Sequence, residues 1–193
     1  MAAGRYHRAE VVARAVEVLD RYGLADLSMR RLGAELGVQP SALYHHFATK
    51  QLLLAAVADE ILARRPVEDL PDAWDDRVAA VCRATRDAML ARTDGADVVA
   101  TAYAFGLGAR APYDALVAAL RSAPGADEEV VGVGARTLLH FVLGHVADEQ
   151  THLQAASAGA IEDAPRDGSE FDVALGIVLD GLRVRIGTAV APG

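Results

Sequence analysis

Tyr44, His45, His46 and Lys50 fall within the segment SALYHHFATK, which runs from Ser41 to Lys50. Adjacent imidazoles beside a phenol and an ammonium suit three chemistries: metal ligation, proton transfer, or hydrogen bonding to a polyanion. Lys50 is the only lysine of the chain. A second cluster lies in HVADEQTH, where His145, Glu149 and His152 at i, i+4 and i+7 share one helical face with Asp148 beside them. Carboxylates and histidines on bundle helices can hold zinc or two irons, but a matching helix must complete the cage. No second acid and histidine cluster occurs, the remaining histidines being His7, His45, His46 and His140. A metal-binding helical bundle or metalloenzyme using His145, Asp148, Glu149 and His152 is therefore the alternative to a nucleic-acid reading. No serine or cysteine stands in a nucleophile motif, so neither a catalytic residue nor a cofactor is expected.

Net charge is −8, which taken alone argues against nucleic acid. The distribution reverses that argument. Residues 1–50 hold seven Arg/Lys against five Asp/Glu, and residues 51–193 hold twelve against twenty-two. Salt screens charges more than about 8 Å apart, so a local basic surface can bind phosphate on an otherwise acidic molecule. The expected division is a binding domain over 1–50 and a second domain over 51–193. With 52% hydrophobic residues over 193 positions the chain can bury a substantial core. Charges interrupt every apolar run before about 18 residues, so no signal peptide or membrane partner is expected and the cytoplasm follows. Cys82, the lone cysteine, sits among apolar residues and reads as a small buried thiol.

The elements that position these groups read as helices throughout. Val12, Ala15, Val16, Leu19 and Tyr22 recur at spacings of three and four, and Gly23 is a helix stop. Ser28 caps a short helix over 29–36, with Leu32 and Leu36 inward and Gly37 ending it. Pro40 opens a third helix, where its missing N–H costs nothing, with Leu43 and Phe47 inward and Ser41, Ala42, Tyr44, His45 and His46 outward. Helix, glycine turn, helix is the helix-turn-helix arrangement, whose second helix enters the DNA major groove. Thr49 caps a fourth helix reaching about Arg65, and further helices are expected at about 74–92, 96–106, 112–122, 127–154 and 169–188, with a polar loop before the last.

Through Leu27, Arg30, Leu32, Leu36-Gly37-Val38, Leu43-Tyr44, His46-Phe47, Lys50 and Leu53 the chain resembles the tetracycline-repressor (TetR) family of bacterial transcription regulators. The resemblance implies an all-α homodimer, with an N-terminal three-helix helix-turn-helix DNA-binding domain and a C-terminal helical domain for ligand binding and dimerisation. It implies a repressor released from a palindromic operator, in double-stranded DNA, by a small-molecule effector. Tyr44, His46 and Lys50 are similar to phosphate-contacting residues, and Arg30, Gln39, Pro40, Ser41, Ala42 and His45 to the base-facing set; Ser28 joins the DNA-facing residues.

HFVLGHVADEQTH and FDVALGIVLDGLRVRIG resemble the two dimerisation helices of the tetracycline-repressor branch. Phe171, Leu175, Val178 and Leu182 share a face and form the expected dimer contact, the other reading being a single buried core helix. At the branch's drug-contacting positions stand Pro66, Val81, Thr85 and Ala119, Val99 replaces the histidine that coordinates magnesium, and only Asp148 keeps a carboxylate. A hard cation needs oxygen ligands, so magnesium tetracycline is not the expected inducer. A hydrophobic or aromatic effector is expected, lined by Trp74, Val78, Val81, Cys82, Thr85, Met89, Val99, Tyr103, Phe105 and Tyr113 and oriented by polar groups among Tyr103, His140, His145 and Asp148. Each lining residue could equally be ordinary core.

Overall fold

The computed structural model describes residues 6–63, 71–162 and 169–189. Nine helices occur among them, α1 (Arg8–Asp26), α2 (Met29–Leu36), α3 (Pro40–Tyr44), α4 (Lys50–Ala63), α5 (Trp74–Leu90), α6 (Gly95–Ala104), α7 (Ala111–Arg121), α8 (Glu128–Ser157) and α9 (Ser169–Ala189), with no strand among the described residues. The expected Arg65 stop and Pro66 lie outside the described residues, as do residues 163–168 of the polar loop before α9. Two compact units emerge, one of residues 1–64 with 88–110 and one of residues 65–87 with 111–193.

In the first unit, α1 packs on α2 and α4, α2 on α3, and α4 on α6. Val11, Ala15, Leu19, Leu32, Leu43, Phe47, Leu53, Val57 and Val98 meet in its core. Two expectations for α1 need correction. Gly23 breaks the helix with φ 77° and ψ 172°, yet helical residues resume and reach Asp26. Tyr22 faces outward at 36% exposure rather than inward, because the Arg31 guanidinium covers its ring at 4.4 Å and its hydroxyl donates to Glu35.

The turn between α2 and α3 shows why it is built from glycine. Gly37 adopts φ 66°, the left-handed conformation that closes a helix, and its N–H donates to the Ala34 carbonyl. At Gly33 a Cβ would come within 2.9 Å of the Val38 carbonyl oxygen, so only a hydrogen lets the turn fold back. α3 ends at Tyr44, sooner than the i, i+4 pair of Leu43 and Phe47 suggests, but the Phe47 N–H still reaches the Leu43 carbonyl and both side chains are buried.

In the second unit α8 packs on α7 and α9. Leu116 and Leu120 of α7, Val131, Leu138, Val142 and Val146 of α8, and Phe171, Leu175, Leu179, Leu182 and Ile186 of α9 form the core. α8 is long and apolar enough to cross a membrane by length and composition. Its buried stripe, together with the Glu149–Arg86 ion pair, makes it a core helix instead. The α5 segment within this unit is held to α8 and α9 by ion pairs on long side chains: Arg86 to Glu149, Arg83 to Asp172 at 2.8 Å, and Asp75 to Arg183 at 2.6 Å.

Candidate nucleic-acid interface

Buried Leu43 and Phe47 anchor α3 and thereby decide which of its side chains reach solvent. Gln39, Ser41, Ala42, Tyr44, His45 and His46 are all exposed, with Pro40 half-buried at the start. This is one continuous outward row, with hydroxyl, amide, phenol and imidazole groups free of the core. The N-terminal end of a recognition helix contacts base edges, which suits Gln39 to Ala42, while the groups past its C-terminal end face the sugar-phosphate backbone.

Lys50 is the first residue of α4, and the preceding Thr49 accepts the Leu52 N–H on its hydroxyl at 3.2 Å. An ammonium at the N-terminal end of a helix suits one phosphate. Arg30 and Arg31 are adjacent but differ in availability. Arg31 is tied to Asp26 at 3.0 Å and lies over Tyr22, whereas Arg30 is exposed and has no carboxylate partner among the described residues. A hollow of about 450 Å³ beside them is lined by Asp26, Ser28, Arg30, Arg31 and Glu35. Ser28 accepts the Arg31 N–H at 3.2 Å, which leaves its own hydroxyl proton available to an anion.

The metal reading fails on geometry. Both carboxylate oxygens of Glu149 accept from Arg86, and the His145 ring packs against Phe171 at 5.2 Å and Phe141 at 5.7 Å. Among the described residues no three histidine, cysteine or acidic groups meet at a spacing that could hold a metal.

The expected effector residues divide. Val78, Val81, Cys82 and Thr85 are buried in the second unit, with Trp74, Tyr113 and His145 half-buried there. Met89 and Val99 are buried in the first unit and Tyr103 is half-buried. Phe105 is corrected from a lining residue to a surface one: it caps the end of α6 at 61% exposure. His140 and Asp148 are likewise exposed, because they fall on the face of α8 opposite its buried stripe. Thr85 spends its hydroxyl proton on the Val81 carbonyl at 2.7 Å. Burial pushes the Cys82 thiol up to about 12.

The residues expected at the dimer contact lie mostly in the chain's own core. Phe171, Leu175 and Leu182 are 2%, 1% and 9% exposed and point into the chain's own core, with only Val178 half-exposed. What the sequence reading missed is a second apolar stripe on α9, formed by Val173, Ile177 and Val184 at 64–69% exposure, with Val133 of α8 also exposed. Its signal was present in the sequence: α9 carries apolar residues on two faces, and only one can meet α8. Along this side a groove of about 710 Å³ is lined by Val130, Val133, Thr137, Ile177, Val178 and Gly181 among others. A Cβ at Gly176 or Gly181 would meet nothing within 4 Å.

Residues 11–57 match the pattern of bacterial regulatory proteins, tetR family, and residues 66–168 match the tetracyclin repressor-like C-terminal domain. The chain belongs to the tetR family. It is 30% identical to the tetracycline repressor protein class A from transposon 1721 of Escherichia coli, over 91% of this chain and 89% of that protein. Among solved structures it is similar to Mycobacterium smegmatis BioQ, with 43% identity, TM-score 0.86, and coverage of 93% of this chain and 99% of that one. It is also similar to BioQ in complex with its natural double-stranded DNA operator, with 40% identity, TM-score 0.80, and coverage of 92% and 98%. Within this family the chain is a ligand-responsive, DNA-binding transcriptional regulator.

Proposed function

We propose that the chain is a cytoplasmic repressor, without catalytic activity, that leaves a palindromic operator when a largely apolar effector binds. The observation that carries the DNA half is the outward row from Gln39 to His46, held rigid by buried Leu43 and Phe47. On this reading Tyr44, His46 and Lys50 contact phosphates. Arg30 supplies the strongest base discrimination, about 1–3 kcal/mol for a bidentate contact to guanine. The N-terminal module over 1–50 is the reading head and residues 51–193 serve the effector and the dimer. In the second unit the effector meets the apolar side of α5 at Val78, Val81 and Cys82, whose side chains offer no oxygen ligand to a hard cation, so magnesium tetracycline is not that effector. Two copies join through Val133, Val173, Ile177, Val178 and Val184, an apolar surface next to small glycines that a facing helix can approach closely. Two heads in successive major grooves then require half-site centres about 34–36 Å apart, or a multiple of that spacing.

The test is selection of bound duplexes from a random DNA pool, followed by titration of the selected duplex at several salt concentrations. A palindrome with steep salt dependence is expected. Recovery of an asymmetric site, or of no sequence from protein shown by mass spectrometry to carry no small molecule, overturns the reading.

A further inference from the structure

Arg8 opens α1, far in sequence from the helix-turn-helix residues, yet its guanidinium carbon lies 4.6 Å from the centroid of the Phe47 ring. Phe47 follows His46 directly and precedes Lys50 by three positions, so the fold brings Arg8 to the edge of the outward row. Phe47 is 1% exposed whereas Arg8 is exposed, so the guanidinium roofs the ring and keeps its outer edge in solvent. A guanidinium stacked on an aromatic face loses little further freedom when it then binds an anion.

The charge inventory of the first unit leaves Arg8 among its few cations without a nearby carboxylate; Arg21, over the Tyr22 ring, already feels the charges of Glu35 and Glu17. Arg14 pairs with Glu17 at 2.6 Å, Arg31 with Asp26 at 3.0 Å and Arg92 with Asp20 at 2.5 Å, so those cations are locally neutralised. Arg8, Arg30 and Lys50 have no carboxylate partner among the described residues. Two of these three already belong to the DNA-facing set. We infer that Arg8 is a further phosphate-contacting residue, preset on Phe47 beside His46 and Lys50 to bind the DNA backbone. Its place past the C-terminal end of α3, away from Gln39 to Ala42, favours phosphate over base edges.

This inference rests on the DNA reading, and the experiment separates the two. Wild type, Lys50→Ala, Arg8→Met and Arg8→Lys are titrated against one mixed-sequence duplex over a salt series, with thermal unfolding of each protein measured alongside. Met keeps an apolar roof over Phe47 and removes only the charge. Arg8→Met is expected to bind roughly tenfold more weakly at moderate salt, with a log–log salt slope shallower by about one unit per protomer. Arg8→Lys should keep most of the slope, and unfolding should be unchanged. If Lys50→Ala is weakened while Arg8→Met retains the wild-type slope, the inference fails alone. If wild type shows no salt-dependent binding, it falls together with the DNA reading. Weakened binding with an unaltered slope and a lowered unfolding temperature assigns Arg8 to packing and overturns the inference.

Discussion

The Asp94 carboxylate accepts the backbone N–H of Leu24 at 2.7 Å, across seventy positions of sequence. Gly23 breaks the helical ladder just before Leu24, and Asp94 is the partner that the freed N–H finds. Beside it Asp20 receives Arg92 and the Thr93 N–H, while the Thr93 hydroxyl donates to the Asp20 carbonyl at 3.1 Å. The turn before α6 thus clasps the end of α1. Asp94→Ala should cost about 1–3 kcal/mol, the penalty for stranding a part-buried donor. Chemical denaturation reads this as a lower midpoint, and Asp94→Asn should recover part of it. An unchanged midpoint for both variants would mean that water serves Leu24 equally well.

Asp75 gives a pH prediction with a definite sign. Its hydrogen bond to Arg183 holds its carboxyl below the usual carboxylate range. A depressed folded-state pKa contributes stability that is fully present above the unfolded value near 4 and lost as pH falls through the folded value. Asp75→Asn should therefore be less stable than wild type at neutral pH, and the two should converge below about pH 4. Parallel unfolding curves across pH 3–7 would contradict this.

Cys82 should be chemically silent in the folded protein. With the thiol pushed up to about 12 by burial, its thiolate at pH 8 is on the order of one in ten thousand. Ellman's reagent should give no colour from native protein and one equivalent after denaturation. A prompt native reaction would show that the α5 core opens readily.

The two faces of α9 should respond differently to substitution. Ile177→Glu, on the exposed face, should leave the chain folded and yield monomers in sedimentation. Phe171→Ala, on the buried face, should cost about 3–5 kcal/mol through the cavity that it leaves. If Ile177→Glu remains dimeric, the second copy sits elsewhere.

Arg30 and Arg31 offer a neighbouring-residue contrast in DNA reading. Arg30→Ala should relax preference at one base pair by about 1–3 kcal/mol. Arg31→Ala should mainly lower stability, by about 0–1 kcal/mol for an exposed pair with Asp26. Selection experiments on both variants check this, and equal relaxation would remove the distinction.

Local signals sufficed for most of the architecture. The apolar spacing in α1, the Ser28 cap, Pro40 at the start of α3 and the Gly37 stop are properties of neighbouring residues, and these features, like the bounds of α4 to α9, appear within a few positions of their expected places. The outward row on α3 was legible for the same reason: once Leu43 and Phe47 go inward, Ser41, Ala42, Tyr44, His45 and His46 must go out. Only the tertiary structure decided which of the two apolar stripes of α9 turns toward α8, since periodicity gives a face but not its neighbour. It alone exposed Phe105, occupied Glu149 with Arg86, neutralised Arg31 but not Arg30, and brought Arg8 onto Phe47. These outcomes depend on contacts between residues distant in sequence: a helix is specified by its own side chains, whereas the partner of a charge or an apolar face is whatever the folded chain places beside it.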